Sequence, residues 1–345
     1  MSILYYNPQL ISELLTGSRE TIESTPFLAN TRDVFESYEW FGLNKHNAVY
    51  DRTGNLKHFL DITPNLHPIP KRVENYNTSF HEVAERRAKE LLSTGKKINV
   101  MWSGGIDSTY ILYILKEFAV DKDQVRVFGT YNSIIESGDL FDSKIKNDFL
   151  FDIRVGARNN FSFHNTDDSI FVSGMCGNQL FGPTDDMFAT GDKAMFHHTL
   201  GNKETIYESY IGNVNEDLLE FLNPIIQTSP RKIETIADLR WYCIFNLDWY
   251  TAIYEHKILL SPEKAKMIHG FFDSIEFQQW AISTNEPFTK VKGDSSTHRW
   301  QMRDFLADRG MEHYARNKPK KISTFSIHEP EWLFLLDDYQ NIFTG

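Results

Sequence analysis

The sequence predicts an α/β protein: a parallel sheet with helices on both faces, followed by a mostly helical C-terminal part. Three observations carry the prediction. Short apolar runs at 98–102, 125–130 and 170–172 alternate with stretches of helical periodicity. The first and third runs each break abruptly into a glycine-containing loop, which is where ligands of an open parallel sheet bind. From residue 204 onward the apolar pattern turns helical.

Taken in order, residues 1–75 scatter Tyr5, Tyr6, Phe27, Phe35, Tyr38, Trp40 and Phe41 among turn formers. So many aromatics predict a small subdomain or a cover, closed by a linker at His67-Pro68-Ile69-Pro70. The α/β core is assigned to residues 76–200. Ser79-x-x-Glu82 makes a capping box at the start of a helix whose face is Phe80, Val83, Ala84, Leu91 and Leu92, and Gly95 stands where that helix should stop. The strand at 98–102 follows, then a helix carrying Tyr110, Ile111, Ile114, Leu115 and Phe118. A strand at 125–130 comes next, spaced as a strand–helix–strand unit requires. A helix is expected within 142–154, with Ile145, Phe149 and Ile153 on one face, and a third strand at 170–172. Residues 201–345 are assigned to the helical portion, with runs at 233–260, 262–270, 275–282 and 300–306.

With 345 residues, 41% of them apolar and 24% charged, the chain has ample material for a core. Its formal charge of −11 argues against a broad nucleic-acid surface, which needs a basic field. Cys176 and Cys243 make neither a disulfide framework nor a zinc spacing. The twelve histidines are scattered, and His197-His198 is off helical ligand spacing. No apolar run of about 18 residues occurs, and residues 1–15 lack the pattern of a signal peptide. The expected setting is cytoplasmic, with no membrane partner.

The stretch 98–109 reads I-N-V-M-W-S-G-G-I-D-S-T. Adjacent Gly104 and Gly105 let the backbone approach a ligand, and the helix behind them offers unpaired N–H groups and the positive end of its dipole. Phosphate is the natural guest. The hydroxyls of Ser103, Ser108 and Thr109 can donate to phosphate oxygens, and the Asp107 carboxylate suits a bridging Mg²⁺. The lysine of a Walker loop and the spaced glycines of a dinucleotide fingerprint are both missing from it.

S-G-G-I-D-S at 103–108 resembles the pyrophosphate loop of the N-type ATP pyrophosphatases. F-V-S-G-M-C-G-N-Q-L-F-G at 171–182 resembles the second signature of the asparagine synthetase synthetase domain, usually S-G-x-G-x-D-E-L-F-G. Gly270-Phe271-Phe272-Asp273 is similar to that family's P-F-L-D turn, 297–303 to its K-x-x-L-R helix and 316–321 to its late R-K-K segment, so the likeness covers 76–330. The resemblance implies an adenine nucleotide alpha hydrolase-like sheet that binds ATP and Mg²⁺ and cleaves ATP between its α and β phosphates. By that resemblance Ser103, Gly104, Gly105, Ile106, Asp107, Ser108 and Thr109 hold the phosphates, with Phe128 and Gly129 beside the adenine. Ser173 and Gly174 line the pocket, and Asp107 and Asn178 hold the metal. Arg299 stands at the lysine that stabilises the transition state, and Lys320 and Lys321 neutralise the departing pyrophosphate.

The sequence also departs from the pattern. Asn178 replaces a metal-binding Asp, Gln179 the Glu after it, and Met175 a Glu suited to act as general base. The chain begins Met1-Ser2 where members with a glutaminase domain carry a catalytic Cys. The expectation is therefore an asparagine synthetase-like ligase without its own glutaminase. It would adenylylate a small-molecule carboxylate for capture by ammonia or an amine, with a separate amidotransferase as one source of nitrogen. Two alternatives stay open: the same chemistry on a nucleobase or tRNA, and a nucleotide-binding protein that has lost catalysis.

Overall fold

In the computed structural model the chain runs β1 (Ser2–Tyr5), α1 (Phe80–Leu92), β2 (Lys97–Trp102), α2 (Ile106–Phe118), β3 (Val125–Thr130), α3 (Tyr131–Ser137), β4 (Leu150–Arg154), β5 (Ser169–Ser173) and α4 (Gly177–Phe181). It continues α5 (Ile236–Leu247), α6 (Trp249–Glu255), β6 (Ile268–Gly270), α7 (Ile275–Ser283), β7 (Thr289–Lys292), β8 (Ser295–His298), α8 (Trp300–Leu306), α9 (Glu312–Asn317), β9 (Phe334–Asp337) and β10 (Asn341–Thr344). The described residues are 2–5, 51–53, 68–154, 168–182, 227–233, 236–255, 266–292, 295–318, 334–337 and 341–344. They fall into two units. One comprises Val73–Gly177 and His256–Ile327, the other Met1–Arg72, Asn178–Glu255 and His328–Gly345.

The first unit is built on a sheet of order β4-β3-β2-β5-β6 in which every neighbouring pair is parallel. The α/β class, the parallel sheet and a helical C-terminal part, made here by α7, α8 and α9, are thus present. β2 lies at the centre with Ile98, Val100 and Trp102 fully buried, and all five residues of β5 are buried. That is why both read as continuous apolar runs rather than alternating ones. β3 occupies the range expected of it, in register with β2 from Ile98↔Val125 to Trp102↔Gly129.

Two expectations need correction. The helix expected within 142–154 is real only as far as Asp148: a π-type turn at Phe141–Ile145 runs on through Lys146–Asp148, and Leu150–Arg154 is then the edge strand β4. Ile145, Phe149 and Ile153 match a helical period by coincidence. The open edge of β3 captures the last of them, and Leu150 and Phe151 are left about half exposed. Likewise the helical run expected at 262–270 ends in the strand β6, which pairs with β5 from Phe171↔Ile268 to Ser173↔Gly270; residues 256–265 lie outside the described residues. Of the run at 233–260, α5 and α6 account for 236–255, with a break at Asp248.

α1 packs on α2 and α7, and α8 packs on α2. The Phe80 ring sits at their junction, 5.5, 5.6 and 5.1 Å from the rings of Tyr110, Phe277 and Trp280. The capping box holds the entry to α1: Glu82 N–H donates to Ser79 Oγ at 3.3 Å, and Ser79 N–H donates to Glu82 Oε2 at 2.7 Å. His81, one residue into the helix, is stacked on Phe305 with its Nδ1 3.1 Å from the Tyr110 hydroxyl. Burial, reinforced by the charge of Arg309, lowers its pKa.

In the second unit β1, β9 and β10 form an antiparallel sheet, with Ser2 and Asn341 both opposite Asp337. Buried Arg52 docks on α5: its backbone N–H donates to Asn246 Oδ1 at 2.9 Å, its Nη1 donates to the Phe245 carbonyl at 3.1 Å, and its guanidinium lies over the rings of Phe245 and Trp249. The remaining aromatic N-terminal stretch lies outside the described residues. No described helix is long and apolar enough to cross a membrane.

Phe80→Ala should destabilise the first unit by about 3–5 kcal/mol, the cost of emptying a core aromatic site. Ser79→Ala should cost about 1 kcal/mol, that of a lost cap. Urea unfolding of both variants checks the ordering. Because His81 has a depressed pKa in the fold, its contribution is complete above the unfolded value of 6.5 and is lost as the pH falls through it towards the folded pKa. The urea midpoint should therefore drop below pH 6.5, and His81→Gln should flatten that drop.

Candidate functional site at the strand ends

β2 ends at Trp102, and the chain turns through Ser103, Gly104 and Gly105 into α2. Gly105 is the N-cap and its position supplies no side-chain acceptor, so the cap leaves the first-turn N–H groups of this 13-residue helix without one. Gly104 has φ +78, and a Cβ there would lie 2.2 Å from the Ser133 carbonyl oxygen and 3.0 Å from the Ser137 nitrogen. Only glycine fits, because the turn is pressed against the backbone of α3.

Both glycine carbonyls are tied back by hydroxyls. The Tyr314 hydroxyl donates to Gly104 C=O at 2.8 Å, and Thr109 Oγ1 donates to Gly105 C=O at 2.8 Å. Thr109 Oγ1 in turn accepts from Trp102 Nε1 at 3.0 Å and lies 3.0 Å from the Tyr314 hydroxyl. Burial raises the Tyr314 pKa, so the phenol stays protonated as a donor. Fully buried Thr109 therefore supports the loop from behind. Ser108 Oγ accepts from Ser103 N–H and lies 3.1 Å from Ser103 Oγ, which closes the turn into a compact ring. Ile106 is buried at the start of α2.

Asp107 follows in the first helical turn. One oxygen, Oδ2, is ion-paired with Arg299 Nη1. The other, Oδ1, is buried and has no hydrogen-bond partner among the described residues. The second glycine loop closes on the same side chain. A Cβ on Gly177 would come within 2.7 Å of Asp107 Oδ2, and one on Gly174 within 3.5 Å of Asp107 Cβ. The two sequence motifs thus converge on one carboxylate.

No protein-family model matches the chain, and no curated protein sequence does either.

Of the other expected residues, Phe128 and Gly129 lie near the end of β3, paired with Met101 and Trp102 of β2; the Phe128 ring packs edge-on against Phe171. Ser173 is buried at the end of β5, and its Oγ accepts from Met175 N–H at 3.4 Å. Met175 packs where a Cβ on Gly270 would stand, and Cys176 is buried in the left-handed conformation at φ +67. Asn178 and Gln179 belong to the second unit, where Asn178 C=O accepts from Gly182 N–H and Gln179 donates to Asp248 Oδ2 at 2.6 Å. The segment 297–303 is helical only from Trp300. Thr297 and His298 lie in β8, and Arg299 turns the chain in the left-handed conformation. Lys320 and Lys321 lie outside the described residues.

Sequence reasoning passed over three contributors: Ser133, Tyr314 and Lys318. Lys318 is nearly buried and donates to Glu136, both to its carbonyl at 2.7 Å and to its Oε1 at 2.5 Å, which pins the end of α9 to α3. The Arg-Asn-Lys-Pro spacing was visible, but its partner 182 residues away was not.

Among the described residues no three His, Cys, Asp or Glu side chains converge. A Mg²⁺ that takes most of its ligands from phosphate oxygens and water needs only one or two carboxylates, and the orphaned Asp107 Oδ1 meets that requirement.

Gly104→Ala should lower stability by at least about 2 kcal/mol, since a left-handed alanine already costs about 1–2 kcal/mol before the contact with Ser133. Gly95→Ala, at φ +69 with nothing within 4 Å of its Cβ, is the control and should lose only the backbone part. Thermal unfolding of the pair separates strain from contact.

Proposed function

We propose that the first unit is an adenine nucleotide alpha hydrolase-like ATP site and that the protein is an asparagine synthetase-like ligase forming AMP and pyrophosphate. The observation that carries this reading is the uncapped start of α2 behind a glycine turn, with a half-unpartnered Asp107 at its edge. Main-chain N–H groups of 106–108 would receive the β and γ phosphates, with the hydroxyls of Ser103 and Ser108 beside them. Asp107 Oδ1 would hold Mg²⁺, whose contribution is to neutralise charge on the pyrophosphate portion. Arg299, a permanent cation, would stabilise charge growing on the same oxygens.

A substrate carboxylate attacks the α phosphorus, the α–β bond breaks and pyrophosphate leaves. Ammonia or an amine then displaces AMP from the acyl carbon. The protein's part is to position and stabilise. Phe128, Gly129, Ser173 and Gly174 border the same strand ends and would frame the nucleoside and acyl groups. Free ammonia, a substrate amine or a separate amidotransferase would supply the nitrogen.

One observation favours a second reading, nucleotide binding without turnover. Gln179 and Met175 stand where the family commonly carries Glu, and here both have structural roles: Gln179 donates to Asp248 and Met175 fills the space over Gly270.

The test is product analysis of α-labelled ATP incubated with Mg²⁺, ammonium and a pool of carboxylates. Labelled AMP should accumulate, and Asp107→Ala should reduce it by about 100-fold. ATP that binds yet yields no AMP would decide for the second reading, and ADP as the sole product would exclude the ligase.

A further inference from the structure

We propose that Arg299 and a divalent cation are mutually exclusive partners of Asp107, so that Arg299 leaves this carboxylate for the polyphosphate when nucleotide and metal arrive together. The inference rests on the ATP reading above and adds a specificity to it: metal binds together with nucleotide and not ahead of it.

A cation already stands at the carboxylate. Arg299 Nη1 is on Asp107 Oδ2, and both side chains are largely buried, 13% and 20% exposed. Gly177 also lies beside Oδ2, close enough that a Cβ there would come within 2.7 Å of it. Oδ1 is the remaining lone-pair site. A dication there would stand a few ångströms from the guanidinium, and at partial burial like charges that close repel strongly. Arg303 brings a second positive charge. It lies four residues on, it feels the charges of both Arg299 and Asp107, and burial lowers its pKa. Two guanidiniums this near Asp107 favour a polyanion there and oppose a bare dication.

The backbone of Arg299 is fixed while its side chain is long. Its N–H donates to the Phe288 carbonyl at 3.1 Å and its carbonyl accepts from Met302 and Arg303, so the turn at φ +55 anchors the root of the side chain. A long side chain on a fixed root can exchange an adjacent carboxylate for phosphate oxygens without moving the fold. Polyphosphate supplies both the alternative partner for Arg299 and the extra ligands for the metal, so the two arrivals reinforce each other.

The test is Mn²⁺ binding to the nucleotide-free full chain, followed by electron paramagnetic resonance into the millimolar range. Arg299→Gln should bind Mn²⁺ at least about tenfold more tightly than the parent. The double variant Asp107→Asn/Arg299→Gln should lose that gain. Arg299→Gln binding no better than the parent overturns the proposal. A second measurement covers a failure of that variant to fold: Asp107→Asn, with Arg299 intact, should bind inorganic pyrophosphate in excess EDTA about fivefold or more tightly than the parent. Unchanged or weaker binding overturns the proposal equally. ATP binding by the parent is measured alongside. Its absence would sink the ligase reading by itself, while the Mn²⁺ comparison would still report on the Arg299–Asp107 exchange.

Discussion

The carbonyl oxygen of Ser133 occupies the place where a side chain at Gly104 would begin, and much of the first unit is arranged to keep it there. Pressed against α3, the turn cannot relax outward. Lys318 binds the end of α3 through Glu136, and Tyr314, one turn earlier in α9, holds the Gly104 carbonyl. A single short helix from the C-terminal part therefore braces the turn and the element behind it. With both glycine carbonyls committed to hydroxyls, no uncovered carbonyl oxygen of the two glycines opposes an anion arriving at α2.

Electrostatics completes what sterics begins. The start of α2 is positive by its dipole, and Asp107 inserts one negative charge into it. Arg299 balances that charge from a turn between β8 and α8, 192 residues further along the chain. Asp107 is close to the glycines of the second loop as well, so a single carboxylate registers the positions of three separate segments.

Legibility in the sequence followed the range of the interaction. β2, β3, β5, α1 and α2 could be read because each is defined by local periodicity and by end signals such as Ser79 and Gly95. β4 could not. Ile145, Phe149 and Ile153 satisfy a helical period, and only the free edge of β3 decides otherwise. β6, three residues long, is too short to show any period. The glycine loop stood out because adjacent glycines between an apolar run and a helix are a local pattern. Tyr314 was invisible for the opposite reason: a lone tyrosine in a helix carries no mark of the carbonyl it will meet 210 residues upstream. Arg299 was singled out by likeness, yet its partner emerged only from the fold.

The division of the chain has a consequence for how the site comes into being. The first unit is made of two stretches, Val73–Gly177 and His256–Ile327, and the residues between them belong to the other unit. On the ribosome, both glycine loops emerge well before the counter-ion of Asp107 and the brace of Gly104. While 178–255 are being translated, β5 lacks its outer neighbour β6, and the carboxylate has no arginine. Any structure the first unit takes up in that interval would lack both its outer strand and the partner of its carboxylate.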